Sequence, residues 1–260
     1  GIGGDYLVGS YGDDVFSYQM ISDSSYSNGV DYINDFAQGD DLIDVSALGY
    51  VDVAQFSTYN GGTYTEIYDG NFAIGFNGDY TFTNADFIFA PYNEIIGTSA
   101  AETISGSAYD DLIEALENND VVTGSTGNDT ILGGAGDDNL YGQADDDVIN
   151  GGIGADYIEL GAGDDILVYE TVGDSNYTGG VDYIGDFTQG NDAIDISALG
   201  YVDFSQFSVY SSGGYTEIYD TVTDFAIGFN GTYSFTFEQN MINMAEILSP
   251  LTGKSGKTEK

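Results

Sequence analysis

The chain has 260 residues and a formal net charge of −41, from 44 acidic residues against 3 basic ones, with no His and no Cys. Without Cys there is no disulfide, thiolate metal site or cysteine nucleophile; without His there is no Ser-His-Asp triad, HExxH zinc site or imidazole base. The basic residues are Lys254, Lys257 and Lys260, so residues 1–253 offer no cation to phosphate and nucleic acid is excluded as a partner. Self-repulsion of this size holds a chain open unless divalent cations neutralise it. Polyanionic sugars are disfavoured unless a cation bridges them. No apolar run reaches membrane-spanning length and no signal peptide stands at the front, so no membrane insertion is expected. Paired carboxylates can hydrolyse glycosides, but 44 acids make any chosen pair uninformative. No catalytic residue is assigned, and the chain reads as non-enzymatic.

The chain opens with GIGGDYLV and GSYGDDVFS, which place Asp5 and Asp14 two residues before Leu7 and Phe16. An acidic, Ser/Tyr-rich loop (19–30) leads into Val30-Asp31-Tyr32-Ile33-Asn34-Asp35-Phe36, and Ser46-Ala47-Leu48 begins a short helical turn capped by Asp or Ser. TYTEIYD (63–69) alternates as a strand, and FAIGF (72–76) runs into Asn77-Gly78, a two-residue hairpin signal. Tyr and Phe concentrate here as the core of a cap. Pro91 marks a link, with a module boundary near 90–96.

From Gly97 to Val168 run eight nonapeptides in one register: GTSAAETIS, GSAYDDLIE, ALENNDVVT, GSTGNDTIL, GGAGDDNLY, GQADDDVIN, GGIGADYIE and LGAGDDILV. The sixth position holds Glu102, Asp111, Asp120, Asp129, Asp138, Asp147, Asp156 and Asp165; the eighth is always Ile, Val or Leu. Gly at the first, second and fourth positions predicts a tight turn over six residues, and the last three are extended with the eighth side chain inward. Two units then make one coil with a strand on each side, coils stacking at about 4.8 Å. Turns two units apart superpose, presenting carboxylates and bent backbone carbonyls, the hard oxygens calcium prefers. A calcium-free, glycine-rich β-helix would account for the glycines but not for the Asp register. The fifth-position acids Asp110, Asp137, Asp146 and Asp164 are expected to face solvent.

The large unit then returns. DYINDFAQGDDLIDVSALGYVD (31–52) recurs as DYIGDFTQGNDAIDISALGYVD (182–203), displaced by 151 residues, and Asn230-Gly231 repeats the hairpin signal. The expected division is 1–96, the end of a first roll plus cap, then 97–248, a second roll (97–168) plus cap (169–248). The segment 249–260 changes composition abruptly and reads as a disordered tail or appended tag.

GSTGNDTIL, GGAGDDNLY and GGIGADYIE resemble the RTX nonapeptide G-G-x-G-x-D-x-(aliphatic)-x, whose parallel β-roll binds calcium in its turns. V-D-Y-I-x-D-F and the residues after it resemble the segment that closes the roll in the serralysin C-terminal domain. The resemblance implies an all-β fold: a right-handed parallel β-roll (the RTX solenoid) with antiparallel β caps, in two tandem modules. Calcium is the implied cofactor, on the order of ten ions at one per pair of stacked turns. The metal-binding carboxylates expected are Asp111, Asp120, Asp129, Asp138, Asp147, Asp156 and Asp165, with Asp5 and Asp14 in the first unit. Asp31, Asp35, Asp182 and Asp186 join them from the caps, and the turns at Gly127, Gly134, Gly136, Gly152, Gly154 and Gly163 add backbone.

The resemblance also implies bacterial type I secretion and folding outside the cell, where calcium is plentiful. Two functions follow: a calcium-dependent structural or adhesive module of a surface layer, filament or adhesin, pairing end to end with other copies, or the secretion and folding module of a larger enzyme resembling a metalloprotease or epimerase. Glycan binding through calcium and exposed Tyr has no support beyond the presence of both.

Overall fold

A computed structural model describes residues 1–201, 204–235 and 241–242; the segment 249–260 and the end of the second cap lie outside these. The chain divides into two compact units at Asn93/Glu94. Among the described residues regular structure is strand or short 3-10 turn, and no helix is long and apolar enough to cross a membrane.

The first unit has eight strands: β1 (Tyr6–Leu7), β2 (Val15–Ser17), β3 (Asp31–Ile33), β4 (Leu42–Asp44), β5 (Ser57–Asn60), β6 (Thr65–Tyr68), β7 (Ala73–Phe76) and β8 (Phe87–Ile88). They form a five-stranded sheet, β1-β3-β7-β6-β5, and a three-stranded one, β2-β4-β8. The β1–β3–β7 and β2–β4–β8 pairs are parallel, whereas β5–β6–β7 is an antiparallel meander.

The second unit begins with β9 (Asn93–Ile96), β10 (Thr103–Ser105) and β11 (Asp111–Glu114). It continues through β12 (Val121–Thr126), β13 (Thr130–Ala135), β14 (Asn139–Ala144), β15 (Val148–Ile153), β16 (Tyr157–Ala162) and β17 (Ile166–Val168). Within the roll each strand up to β15 pairs in parallel with the second strand after it, 18 residues on, as in Val122↔Leu140 and Ile131↔Ile149. This is the two-unit coil of a parallel β-roll. The eighth-position side chains from Ile113 to Leu167 are fully buried between the two sheets, one aliphatic residue per strand, as the pattern of the sequence requires.

Central strands are longer than the three residues expected. They run six, through the first three positions of the next unit, as Gly134↔Gly152 and Ala135↔Ile153 show. The second position lies inside the strand with a left-handed backbone: Ser125 (φ 92°), Gly134 (100°), Gln143 (80°), Gly152 (90°) and Gly161 (110°). A left-handed residue bends the strand without ending its pairing, which leaves only positions four to six for the turn. Non-glycine residues at such φ values are strained by about 1–2 kcal/mol each. The stack therefore imposes the bend even where glycine is missing.

The cap of the second unit adds β18 (Asp182–Ile184), β19 (Ala193–Asp195), β20 (Ser208–Ser212), β21 (Tyr215–Tyr219), β22 (Ala226–Asn230) and β23 (Met241–Ile242). Both roll sheets continue into it, as β10-β12-β14-β16-β18-β22-β21-β20 and β23-β19-β17-β15-β13-β11-β9. The cap thus pairs the last roll strand, but its own edge strand β20 is exposed along its whole length. Cap aromatics form the core as expected; Phe72, Phe76, Phe225 and Phe229 are fully buried.

Asn77-Gly78 and Asn230-Gly231 do not turn hairpins. Asn77 N–H continues the parallel pairing, donating to Ile33 O at 3.0 Å. Gly78 then adopts φ 149° and leads the chain out of the sheet under the Tyr80 ring, whose hydroxyl donates to Phe36 O at 2.7 Å. Gly231 and Tyr233 repeat this, with Phe187 O as acceptor at 2.8 Å. Hairpin reversals lie elsewhere, one at 69–72, where Asp69 Oδ1 accepts from Asn71 and Phe72 N–H, and one at Gly213-Gly214.

Candidate metal centre

The sixth-position carboxylates line up along both edges of the roll. Asp Oδ1 accepts the backbone N–H of the sixth residue one coil earlier: Glu102 N to Asp120 at 2.7 Å, Asp111 N to Asp129 at 2.9 Å, Asp120 N to Asp138 at 2.8 Å. The ladder continues with Asp129 N to Asp147 at 2.9 Å, Asp138 N to Asp156 at 2.8 Å and Asp147 N to Asp165 at 2.9 Å. At the cap, Asp156 N donates to Asp182 at 3.0 Å, and in the first unit Asp5 N donates to Asp31 at 2.8 Å.

Half of each carboxylate is thereby satisfied. The other half is not: Oδ2 of Asp120, Asp129, Asp138, Asp147, Asp156, Asp165 and Asp182 is buried without a hydrogen-bond partner. Orphaned buried acceptors are rare in folded proteins, and buried charge without a partner is costlier still. Seven in register, in a segment without Lys or Arg, fit a divalent cation beside each. Among the described residues no group of three acidic side chains converges on one point. A cation here would therefore take its ligands from successive carboxylates of a row and from carbonyls of the bent turns, a donor set of hard oxygens that suits calcium.

The turn glycines make that crowding tolerable. A Cβ on Gly152 would sit 2.0 Å from Gly134 O, and one on Gly154 1.8 Å from Gly136 O. Gly134 and Gly136 face Leu116 O and Asn118 O in the same way, and Gly127 and Gly163 face the backbone of Tyr109 and Asp145. First-position glycines leave room for the orphan oxygen itself: a Cβ on Gly142 would lie 2.4 Å from Asp147 Oδ2.

Other predicted residues are placed differently. Asp111 is buried at the start of its row, but Ser107 N–H and hydroxyl bond its carboxylate. Asp5 is exposed and Asp14 half-buried. Asp35 and Asp186 stand apart from the rows. Asp35 accepts from Gly9 N and Ser10 N, and Asp186 from Leu160 N and Gly161 N, so both oxygens of each serve the bent strand beside them. The fifth-position acids face solvent, yet they form a second ladder of opposite sense, as in Ala155 N to Asp137 Oδ1 at 3.0 Å and Asp164 N to Asp146 Oδ1 at 2.9 Å.

Two members of the rows were not foreseen. Asp41 and Asp192 are buried and accept from Asp14 N (3.0 Å) and Asp165 N (3.4 Å), continuing the second row into each cap. The signal was present: Asp41-Leu42-Ile43 and Asp192-Ala193-Ile194 carry the same acid-x-aliphatic spacing as the nonapeptides.

Burial pushes these carboxyls up. Asp129, Asp147 and Asp156 rise to about 7 and Asp138 to about 6, with neighbouring carboxylates adding to the effect and the backbone N–H bonds opposing it. Asp192 rises to about 6, and Asp182 well above the usual range. Their unfolded values lie near 3.9, so between about pH 4 and 7 the metal-free fold holds more protons than the open chain. Its stability is therefore greatest at low pH and is lost as pH rises through that window. In chelator, acidification from pH 7.5 to 5 is expected to increase β-structure by far-UV circular dichroism. β-structure that stays level or falls on acidification would contradict this.

Residues 96–131 and 132–167 match the RTX calcium-binding nonapeptide repeat family, and residues 1–90 match the peptidase M10 serralysin C-terminal family. No curated protein matches the chain. Among solved structures, the AlgE6R2 subunit of the Azotobacter vinelandii mannuronan C5-epimerase is 23% identical, covering 59% of this chain and 94% of that one at a TM-score of 0.42. The AlgE6R3 subunit of the same epimerase is 25% identical, covering 60% and 92% at 0.32. The extracellular lipase LipA from Serratia marcescens is 11% identical, covering 92% of this chain and 37% of the lipase at 0.28. The chain thus carries RTX calcium-binding nonapeptide repeats over 96–167 and a segment of the serralysin C-terminal family over 1–90.

Proposed function

We propose that this chain is a calcium-dependent structural or adhesive module of a secreted, tandem-repeat extracellular protein that folds on meeting calcium outside the cell. Type I secretion suits a chain that stays open while calcium is scarce. On this reading the ions lie along the two carboxylate rows, from Asp111 to Asp165 with Asp182 and Asp31 at the caps, and along the more open Asp5 and Asp14. Turn backbone at Gly127, Gly134, Gly136, Gly152, Gly154 and Gly163 completes them. The count is on the order of ten, at one ion per pair of stacked turns. Asp35 and Asp186 order the strand beside them.

The observation that carries the structural role is the pair of uncharged strands that end one sheet among the described residues. The eight-stranded sheet of the second unit ends on β10 at one side and β20 at the other. Neither Thr103-Ile104-Ser105 nor Ser208-Val209-Tyr210-Ser211-Ser212 contains a charge, in a chain with 44 acidic residues. Uncharged edges invite pairing, and joining unlike ends of successive copies propagates as a filament. Light scattering at millimolar calcium tests this: particle mass is expected to grow, and Val209→Lys on β20 to suppress the growth. A constant monomer mass over a wide concentration range would overturn the end-to-end reading.

The match of residues 1–90 to the serralysin C-terminal family favours a second reading, a secretion and folding module whose catalytic partner lies elsewhere. A monomer that refolds with calcium and carries a fused passenger out of the cell would support it.

A further inference from the structure

One buried phenol closes each roll. Tyr169 directly follows β17 and is fully buried; its backbone N–H donates to Asp195 O at 2.9 Å, and its ring packs edge-on against Phe225 with centroids 5.3 Å apart. The hydroxyl so aimed has no hydrogen-bond partner. It faces the carboxylates of Asp182, Asp156 and Asp174. Asp182 and Asp156 each bring an orphaned Oδ2, and Asp156 N–H joins the two residues by donating to Asp182 Oδ1 at 3.0 Å. Asp174 is already engaged by Glu170 N, Thr171 N and the Thr171 hydroxyl. Three unpartnered oxygens, all in residues at most 1% exposed, thus share one junction.

The buried, unpartnered phenol occurs twice, in the first unit beside a buried Asp31 and an exposed Asp5. Displacement by 151 residues maps Tyr169, Asp182, Asp156 and Asp174 onto Tyr18, Asp31, Asp5 and Asp23. Tyr18 is 2% exposed, its hydroxyl is likewise unpartnered and faces those three carboxylates, and Phe72 holds its ring edge-on at 5.2 Å. A core needing only bulk there would be served by Phe. A hydroxyl buried without a partner is destabilising, and a neutral hydroxyl is a hard oxygen, as a carbonyl is.

We propose that the Tyr169 hydroxyl, with Asp182 Oδ2 and Asp156 Oδ2, ligates a divalent cation where the last coil meets the cap, and that Tyr18 with Asp31 and Asp5 does so in the first unit. The inference rests on the calcium reading of the rows and adds a tyrosine ligand to it. Native mass spectrometry of the full chain in calcium tests it. Y169F is expected to bind one ion fewer than the unsubstituted chain, Y18F one fewer, and the double variant two fewer. Unchanged counts, with folding intact, would overturn the tyrosine sites alone; an unsubstituted chain that binds no calcium would overturn the reading of the rows. Should Y169F fail to fold, crystals of the unsubstituted chain grown with strontium decide. Anomalous density bonded to the Tyr169 hydroxyl supports the site, and a junction without it refutes the site.

Discussion

Asn in place of Asp147 is expected to raise the calcium concentration for half-folding by about tenfold or more, the order seen when a metal site loses part of its coordination network. The side chain is nearly isosteric, so its carbonyl can still accept Asp129 N–H, now at 2.9 Å. What disappears is the charge and the lone-pair oxygen at the buried, unpartnered Oδ2. The neighbouring Asp146→Asn removes the same formal charge from the next residue. Asp146 is exposed, and its Oδ1 accepts Asp164 N–H, which an amide oxygen can do as well. Its midpoint should move by less than about twofold, as for a surface charge. Calcium titrations of the two variants thus separate a built site from general relief of a net charge of −41. Equal shifts would mean that calcium acts by diffuse screening.

Gly152→Ala is expected to be nearly as severe for a different reason. The new Cβ would lie 2.0 Å from Gly134 O, a backbone atom held in the preceding coil, at a residue with φ 90°. Both the clash and the backbone conformation count against it, and a loss above about 3 kcal/mol follows. Gly190→Ala is the control: φ is 97°, but nothing lies within 4 Å of the added carbon. Only the left-handed strain of about 1–2 kcal/mol remains there. Denaturant unfolding in saturating calcium measures both. Similar losses would show that coil stacking has more slack than these distances allow.

What the sequence disclosed depended on what repeats. The acid at the sixth position and the aliphatic at the eighth are tied to one coil geometry, so their register revealed the sheet pairing, the 18-residue step and the carboxylate rows together. The bend inside each strand was hidden, because Ser125 and Gln143 adopt under stacking a conformation their own preferences oppose. Asn77-Gly78 misled because a parallel partner, β3, was available to keep Asn77 in the sheet. Asp41 and Asp192 carried the repeat spacing and its fourth-position glycine, Gly39 and Gly190, but lacked the glycines of the first two positions. Tyr169 gave no local signal at all. Its importance lies in the atoms its hydroxyl faces, which belong to Asp156, thirteen residues before it, and Asp182, thirteen after.

On the calcium reading, cations complete this fold. This is tested most directly by stripping the chain with chelator at pH 7.5 and titrating calcium at constant ionic strength while following far-UV circular dichroism. The rows of unpartnered Oδ2 atoms predict a coil-like spectrum in chelator and a cooperative gain of β-structure with calcium, not reproduced by sodium chloride at the same ionic strength. Full β-structure in chelator, indifferent to added calcium, would contradict it.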